Sequence, residues 1–218
     1  MAGTVDTSAS LSPPQPSAYR CFTLDAGDED NTITFGDGNN IIYGTSSNDV
    51  ITAGDGNNTI YAGDGKNTIT LGDGDNVIYG GSSADVITTG DGDNQIFAGD
   101  GNNKIATGAG DDLIYSGSGD DLIAAGKGSN TVWLGGGHDT IVLEFRGFTK
   151  INNFNVAETK IDLSSIGTKG VALASLGSDT LVVLPRLSVL ATLTFVDVAT
   201  VSANSESIFG AQLPIFTA

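Results

Sequence analysis

A single apolar residue recurs every nine positions along the middle of the chain. From Ile33 to Ile141 this residue is Ile in twelve of thirteen copies, and Val132 is the thirteenth. Its neighbours on both sides are mostly β-branched or aromatic, which favours a short strand with the Ile pointing inward and the neighbours outward. One inward side chain per strand makes no core alone, so the pattern predicts strands that stack their Ile residues in columns.

The residues between successive strands predict a tight turn. Thirteen consecutive nonamers fill residues 27–143 without insertion or deletion, and a typical copy reads GDGNNTIYA from Gly54. Gly supplies backbone conformations that are closed to other residues, and the fifth position, always Asn or Asp, tolerates the left-handed region. Each nonamer is therefore predicted to be a turn followed by a strand.

The residue after each Ile predicts how the nonamers are arranged. Small and aromatic residues alternate at this eighth position, so two nonamers would close one coil of 18 residues and present two different sheets. The sequence therefore predicts an all-β fold: a two-sheet parallel β-roll or β-solenoid with a small β-rich C-terminal cap. A run of tandem hairpins is the structural alternative, but it does not explain the alternation. The aromatic file consists of Tyr43, Tyr61, Tyr79, Phe97, Tyr115 and Trp133.

Changes in composition divide the chain into three parts. Residues 1–26 are rich in Ser, Thr and Pro and are expected to form a mobile tail with a lead-in strand. The repeats occupy residues 27–143. After them the glycine period stops, so residues 144–218 are predicted to cap the exposed end of the solenoid, with paired strands at 179–184 and 191–198.

Charge and rare residues restrict the chemistry that the chain can perform. The 26 acidic and 9 basic residues give a formal charge of −17, which repels nucleic acid and favours cations. The single cysteine, Cys21, excludes an internal disulfide, and the single histidine, His138, excludes sites that need two. No apolar run reaches the ~20 residues of a transmembrane segment. Residues 1–20 lack a basic start followed by an apolar stretch, so no cleaved N-terminal signal is expected.

The repeat resembles that of the RTX (repeats-in-toxin) family, whose unit is G-G-x-G-x-D-x-U-x with U apolar. Asp112, Asp121 and Asp139 fall on the family's Asp. The resemblance implies a parallel β-roll whose turns bind several calcium ions through Asp carboxylates and turn carbonyls. Asp121 and Asp139 form the most family-like pair and are the first candidate site. The turn glycines of that pair are Gly117, Gly119, Gly135 and Gly137.

The family's Asp position is Asn in eight of the thirteen copies, and a neutral Asn is the weaker calcium ligand. Seven of those eight copies carry Asp at the second position instead, so twelve turns hold one carboxylate at one of the two places. Further candidate ligands at the fifth position are Asp49 and Asp85. Those at the second position are Asp28, Asp37, Asp55, Asp64, Asp73, Asp91 and Asp100.

Two interpretations of this exchange stay open. Either each turn supplies one anionic oxygen to calcium, or the Asp residues cap turn amides while the Asn side chains form a hydrogen-bonded ladder without metal. Carboxylates stacked ~5 Å apart repel one another by about 1 kcal/mol per pair even at the dielectric constant of water. Because a metal-free ladder would avoid that cost by using Asn throughout, calcium is favoured.

The segment 150–167 resembles the one that follows the repeats in many RTX proteins. The resemblance implies an uncleaved C-terminal signal for the type I secretion machinery, hence a secreted, extracellular protein that folds on extracellular calcium. The expected role is structural, in surface or matrix association. An enzyme is not expected, because the carboxylates recur in nearly every coil whereas an active site interrupts a pattern.

Two binding functions remain as alternatives, ahead of a carbohydrate-active enzyme. The aromatic file could be a stacking platform for extracellular polysaccharide. The opposite sheet carries a row of threonines, such as Thr52 and Thr88, whose spacing could match that of water molecules in ice, although Ala106 and Ala124 interrupt the row.

Overall fold

The structure is a computed structural model that describes residues 3–6, 21–167, 171–176, 178–184, 188–194 and 196–214. Residues 7–20, most of the expected N-terminal tail, lie outside the described residues. Within the part that is described, no helix is both long enough and apolar enough to cross a membrane.

Nearly all described elements are short strands in two sheets. Sheet A has nine strands: β1 (Gly3–Asp6), β3 (Asn31–Thr34), β5 (Val50–Ala53), β7 (Thr68–Leu71), β9 (Val86–Thr88), β11 (Lys104–Ala106), β13 (Leu122–Ala124), β15 (Thr140–Val142) and β17 (Lys160–Asp162). Sheet B begins with β2 (Thr23–Asp25), β4 (Ile41–Tyr43), β6 (Thr59–Tyr61), β8 (Val77–Tyr79), β10 (Gln95–Phe97), β12 (Leu113–Gly117), β14 (Gly128–Leu134) and β16 (Gly147–Asn152).

Each coil contributes one strand to each sheet. Strands 18 residues apart pair in parallel, and the inward residues stay in register, as Ile33 with Ile51 in sheet A and Ile42 with Ile60 in sheet B. The predicted parallel two-sheet solenoid with about 18 residues per coil is thereby confirmed, with about eight turns.

The core is the space between the two sheets, filled by the isoleucine columns. Every Ile of the seventh position is at most 1 % exposed, from Ile33 to Ile141. Because each Ile lies directly over the one 18 residues before it, the apolar contact runs without interruption along the solenoid.

The C-terminal region extends sheet B by three strands. Strand β20 (Ser188–Leu193) pairs in parallel with β16, and β19 (Asp179–Leu184) and β18 (Ala172–Leu176) follow in antiparallel order. The strand expected at 191–198 is shorter than predicted. It ends at Leu193, and Asp197 accepts a hydrogen bond from the Thr200 amide at 2.9 Å, which starts helix α1 (Val198–Ala203), followed by α2 (Ser205–Phe209).

The substitution Ile60→Ala tests the isoleucine columns. Ile60 is fully buried, so removing its side chain should lower the free energy of unfolding by about 2–5 kcal/mol. Val86→Ala, on the exposed outer face of sheet A, should change it by only about 0.5 kcal/mol. Denaturant unfolding of both variants measures the difference, and equal losses would argue against a core confined between the sheets.

Candidate functional site

The turns of the repeats form two edges of the solenoid. On the first edge the fifth-position residues are Asn31, Asp49, Asn67, Asp85, Asn103, Asp121 and Asp139. On the second edge they are Asn40, Asn58, Asn76, Asn94, Asp112 and Asn130. Asn and Asp therefore alternate from coil to coil along most of the first edge, whereas Asp112 is the one Asp at the fifth position of the second edge.

The fifth-position side chains are buried and tie each coil to the next. All thirteen are at most 5 % exposed. From Asp49 onward, eleven of them accept through Oδ1 the backbone N–H of the residue 18 positions earlier, as Asp49 does from Asn31 and Asp85 does from Asn67, both at 2.8 Å. Asn and Asp serve equally well in this bond, which explains why they exchange. The sequence did not indicate the burial.

The second-position aspartates lie elsewhere, on the exposed outside of each edge. On the second edge each accepts the backbone N–H of the following coil, for example Asp55 from Asp73 at 2.9 Å. On the first edge Asp alternates with Ser, and the Ser82 hydroxyl donates to Asp64 at 2.6 Å. Carboxylates at the second position are thus exposed and those at the fifth position are buried, so the two positions do not place a carboxylate at the same point of the turn.

A third column of acidic side chains was missed in the sequence. At the fourth position of the second edge, Asp75 accepts the Asp93 amide at 2.9 Å, and Asp93 accepts the Asp111 amide at 2.7 Å. The recurrence of Asn and Asp at that position was the available signal. These carboxylates are exposed and share the role of the second-position residues.

The buried aspartates differ from the asparagines in their second side-chain atom. Asn67 Nδ2 donates to the carbonyl of Gly65 at 3.1 Å and so closes its own turn. An Asp has no N–H to donate, and the buried Oδ2 atoms of Asp49 and Asp85 have no hydrogen-bond partner. Those of Asp112 and Asp121 are buried too, beside the hydroxyls of Thr107 and Ser116. A buried anionic oxygen without a partner costs free energy unless a cation or a proton satisfies it.

In two turns a second oxygen faces the same small space as the carboxylate. A Cβ placed on Gly44 would lie 2.5 Å from Asp49 Oδ2 and 2.4 Å from the carbonyl oxygen of Ala62. A Cβ on Gly80 would lie 2.6 Å from Asp85 Oδ2 and 2.3 Å from the carbonyl oxygen of Ala98. The missing side chain therefore leaves a space lined by one carboxylate and one carbonyl oxygen.

The same two turns hold the backbone strain of the repeats. Thr45, Ser47 and Ser83 have φ values of 80°, 87° and 99°, in the region that favours glycine. Thr45 and Ser47 belong to the turn of Asp49, and Ser83 belongs to that of Asp85. Strain of this kind is found at functional sites more often than elsewhere, which singles out these turns.

Asp121 and Asp139, the most family-like pair, lie next to each other on the first edge. The Asp121 amide donates to Asp139 Oδ1 at 3.1 Å, and both side chains are about 2 % exposed or less. The turn glycines are needed for close stacking, since a Cβ on Gly135 would lie 1.7 Å from the carbonyl oxygen of Gly117, and one on Gly137 would lie 2.2 Å from that of Gly119.

Burial raises the pKa of the fifth-position carboxyls. Desolvation is the main cause, and it raises the pKa of Asp85 and Asp139 to about 7 and that of Asp121 to about 6. Hydrogen bonds from the coil before them, such as the Asn67 amide to Asp85, oppose the shift without cancelling it. The pKa values of Asp49 and Asp112 are raised for the same reason.

The donor set of these turns suits a hard cation. Among the described residues, no three side chains of His, Cys, Asp or Glu converge on one point, so a bound ion would need backbone carbonyls as well as a carboxylate. Such an all-oxygen, flexible set suits calcium, whereas softer metals prefer nitrogen and sulfur. His138 is exposed, with Nδ1 3.5 Å from Asp120 Oδ1, and lies outside the buried column.

The aromatic file lies on the outer face of sheet B. Successive rings from Tyr43 to Trp133 are stacked with centroids 4.9–6.1 Å apart and interplanar angles of 7° or less. Within the file each ring therefore covers the face of the next, and mainly the ring edges meet solvent. The four tyrosines and Trp133 are 37–39 % exposed.

The fold and its turns define a class of protein, a parallel β-roll with calcium-binding turns. A family model described as the RTX calcium-binding nonapeptide repeat (4 copies) matches residues 23–42, 36–69, 43–78, 70–105 and 106–141. The chain belongs to this family, as the sequence resemblance indicated. Repeats of the family are typically structural and not catalytic. A comparison with curated proteins found no match.

The raised pKa values predict how stability without calcium depends on pH. Because the folded pKa of Asp85 and Asp139 exceeds the unfolded value of 3.8, the folded state holds the extra protons between about pH 4 and 7. Stability in chelator should therefore fall as the pH rises through that window. Thermal unfolding followed by circular dichroism at pH 5 and pH 8 measures it, and added calcium should reduce the difference. Higher stability at pH 8 in chelator would contradict the assignment.

Proposed function

We propose that this β-roll binds several calcium ions at its Asp-type turns and serves as a secreted structural protein in surface or matrix association. The observation on which the proposal rests is the buried carboxylate oxygen without a hydrogen-bond partner at Asp49 and Asp85, each beside a glycine and a carbonyl oxygen. Their turns supply the carboxylate, and stacked turn carbonyls supply the remaining oxygens.

The last residue of the preceding repeat, five residues before each fifth-position side chain, supports this assignment because its type differs between the turns with Asp and the turns with Asn. It is Gly44 before Asp49 and Gly80 before Asp85, and it is Thr107 before Asp112 and Ser116 before Asp121. The Thr107 and Ser116 hydroxyl oxygens are buried beside these carboxyls and, as hydrogen-bond donors, oppose the rise in the pKa of Asp112 and Asp121. The asparagines mostly follow Ala, Leu or Phe instead: Ala26, Phe35, Ala53, Leu71, Ala62, Ala98 and Ala125.

This coupling divides the turns into two kinds. In an Asp-type turn, a glycine leaves an oxygen-lined space beside Oδ2, or a hydroxyl-bearing residue places its oxygen there. In an Asn-type turn, an apolar side chain usually occupies that place and the amide N–H closes the turn without an ion. Two pairs depart from the rule, Thr89 with Asn94 and Leu134 with Asp139. Calcium is accordingly proposed at alternate coils of the first edge and at Asp112 on the second.

Charge couples calcium binding to folding. The exposed acidic columns repel along each edge, and the buried carboxylates resist ionisation. A cation that binds only the stacked turns stabilises the folded state by mass action. In a compartment with little free calcium the chain would stay loose enough for export, and it would tighten outside the cell.

Secretion is proposed from the family and from the C-terminal segment. The family is associated with type I secreted extracellular proteins. Residues 150–167, which resemble the segment after the repeats in such proteins, form the end of β16, the loop after it and β17, so they complete the last coil. The resemblance and the fold of residues 150–167 are compatible with a segment that both completes the last coil of the roll and carries the secretion signal.

Asp85→Asn tests the calcium sites. The amide keeps the Oδ1 acceptor and removes the anionic Oδ2, so the roll should fold while calcium titration calorimetry finds one ion fewer. Asp55→Asn is the matched control, because Asp55 is an exposed second-position residue, and it should leave the number of ions unchanged. The assignment is wrong if the Asp55 variant loses an ion and the Asp85 variant does not.

Gly80→Ala tests the oxygen-lined space independently of the carboxylate. The new Cβ would fall 2.6 Å from Asp85 Oδ2, so calcium binding at this turn should weaken or disappear. Gly36→Ala is the control, since no atom lies within 4 Å of its Cβ position. Equal calcium binding by the two variants would show that the space beside Oδ2 is not used.

Export is tested by producing the chain in cells with and without a type I exporter. The protein should reach the medium only when the exporter is present. Retention inside the cells that contain the exporter would refute the secretion part of the proposal and leave the calcium sites untouched.

A further inference from the structure

The outer face of sheet A carries a regular block of β-branched side chains. Eight outward positions on β3, β5, β7 and β9 are all Thr or Val, in two columns. One column alternates the two types and consists of Thr32, Val50, Thr68 and Val86. The other is all threonine and consists of Thr34, Thr52, Thr70 and Thr88. We call these eight residues the Thr/Val array.

The array is periodic in two directions. Within each column the residues pair in register from strand to strand, so their spacing is that of the strands, ~4.8 Å. The two columns are separated by two residues along the strand, ~6.6 Å. Thr and Val have the same branched shape, and such side chains are restricted at χ1, so the eight positions repeat one shape with little freedom.

The array is uncharged, exposed and bounded. Six of its members are exposed, and Thr34 and Thr52 are half-buried. The acidic columns lie on the edges of the roll, not on this face. The array ends where β11 brings Lys104 and Ala106 into the two columns. At the other end, β1 places Thr4 in register with Thr32 and Asp6 in register with Thr34, so the all-threonine column ends there on an acidic residue.

We propose that the Thr/Val array is an ice-binding surface. A ligand that matches this array must offer uncharged groups that repeat in two dimensions. The ordered water molecules at the surface of an ice crystal are such groups. Threonine hydroxyls can hydrogen-bond to those molecules, and the intervening methyl groups favour ordered water beside them. The in-register strands hold the groups in place, so little side-chain entropy is lost on contact.

The size of the array argues against a protein partner. Four coils by two columns cover on the order of 200 Å². A stable protein interface takes about 800 Å² on each partner. The array is therefore smaller than the contact that a stable protein partner would need.

The opposite sheet provides an internal comparison. Its outer face carries the aromatic file, whose rings project edge-on and alternate with aliphatic, Thr and Gln side chains. That face has the same strand spacing but neither uniform shape nor uniform chemistry. A substitution there tests whether any exposed change on the roll has the same effect.

The experiment measures partition of the calcium-loaded protein into slowly growing ice, together with thermal hysteresis. We expect the unaltered chain to enter the ice and Thr70→Lys to be excluded from it, because a long cation interrupts both the shape and the neutrality of the array. Thr59→Lys, on the outer face of sheet B, should enter the ice like the unaltered chain. Thr70→Val, which keeps the branched shape, should enter it too.

Circular dichroism and calcium titration of every variant separate this proposal from the previous one. A folded chain that binds calcium and stays out of ice overturns the array proposal alone. Equal exclusion of the Thr70→Lys and Thr59→Lys variants also overturns it, because the effect would not belong to sheet A. Partition into ice by a folded chain that binds no calcium would support the array and refute the calcium sites.

Discussion

One hydrogen bond holds successive coils of this protein in register. From Asp49 onward, the buried side-chain oxygen at the fifth position of each repeat accepts the backbone N–H of the fifth-position residue in the coil before it, as between Asp85 and Asn67. This bond fixes the 18-residue spacing of the turns, and the isoleucine columns then meet without offset. Both Asn and Asp can accept this bond, so the fold forms with either residue. Which of the two is present determines the chemistry of the turn.

That choice concerns the other terminal atom of the side chain. In Asn67 it is an N–H that closes the turn on a neighbouring carbonyl, and in Asp85 it is an oxygen that faces Gly80. Under the proposed calcium assignment, a cation would do reversibly in an Asp-type turn what the amide does permanently in an Asn-type turn. A roll built from both kinds would then have some coils whose stability is independent of calcium and others whose stability depends on it.

The sequence predicted the solenoid well because its main signals are periodic. Ile at every ninth position and the alternation of small and aromatic residues specify the inward columns, the coil length and the two sheets. It did not predict that Asp55 would be exposed while Asp85 is buried, since both read as acidic turn residues. The type of the last residue in the preceding repeat separates the Asp-type from the Asn-type turns. That signal could be interpreted only from the structure, which places Gly80 beside the Asp85 carboxylate. The helix Val198–Ala203 was missed because its residues read as the continuation of a β-rich pattern, and the main signal for its start is a single residue, the N-cap Asp197.

The alternation on the first edge also sets the unit in which this rod could change its length. Asp49 and Asp85 lie 36 residues apart, as do Val50 and Val86, so the true structural module comprises two coils. Loss or duplication of such a module would leave both ends, the order of turn types and the outward columns intact. Gain of a single coil would instead interrupt the alternation, as already happens where Asp121 meets Asp139. The alternating part of the rod would therefore keep its pattern only if its length changed in steps of two coils.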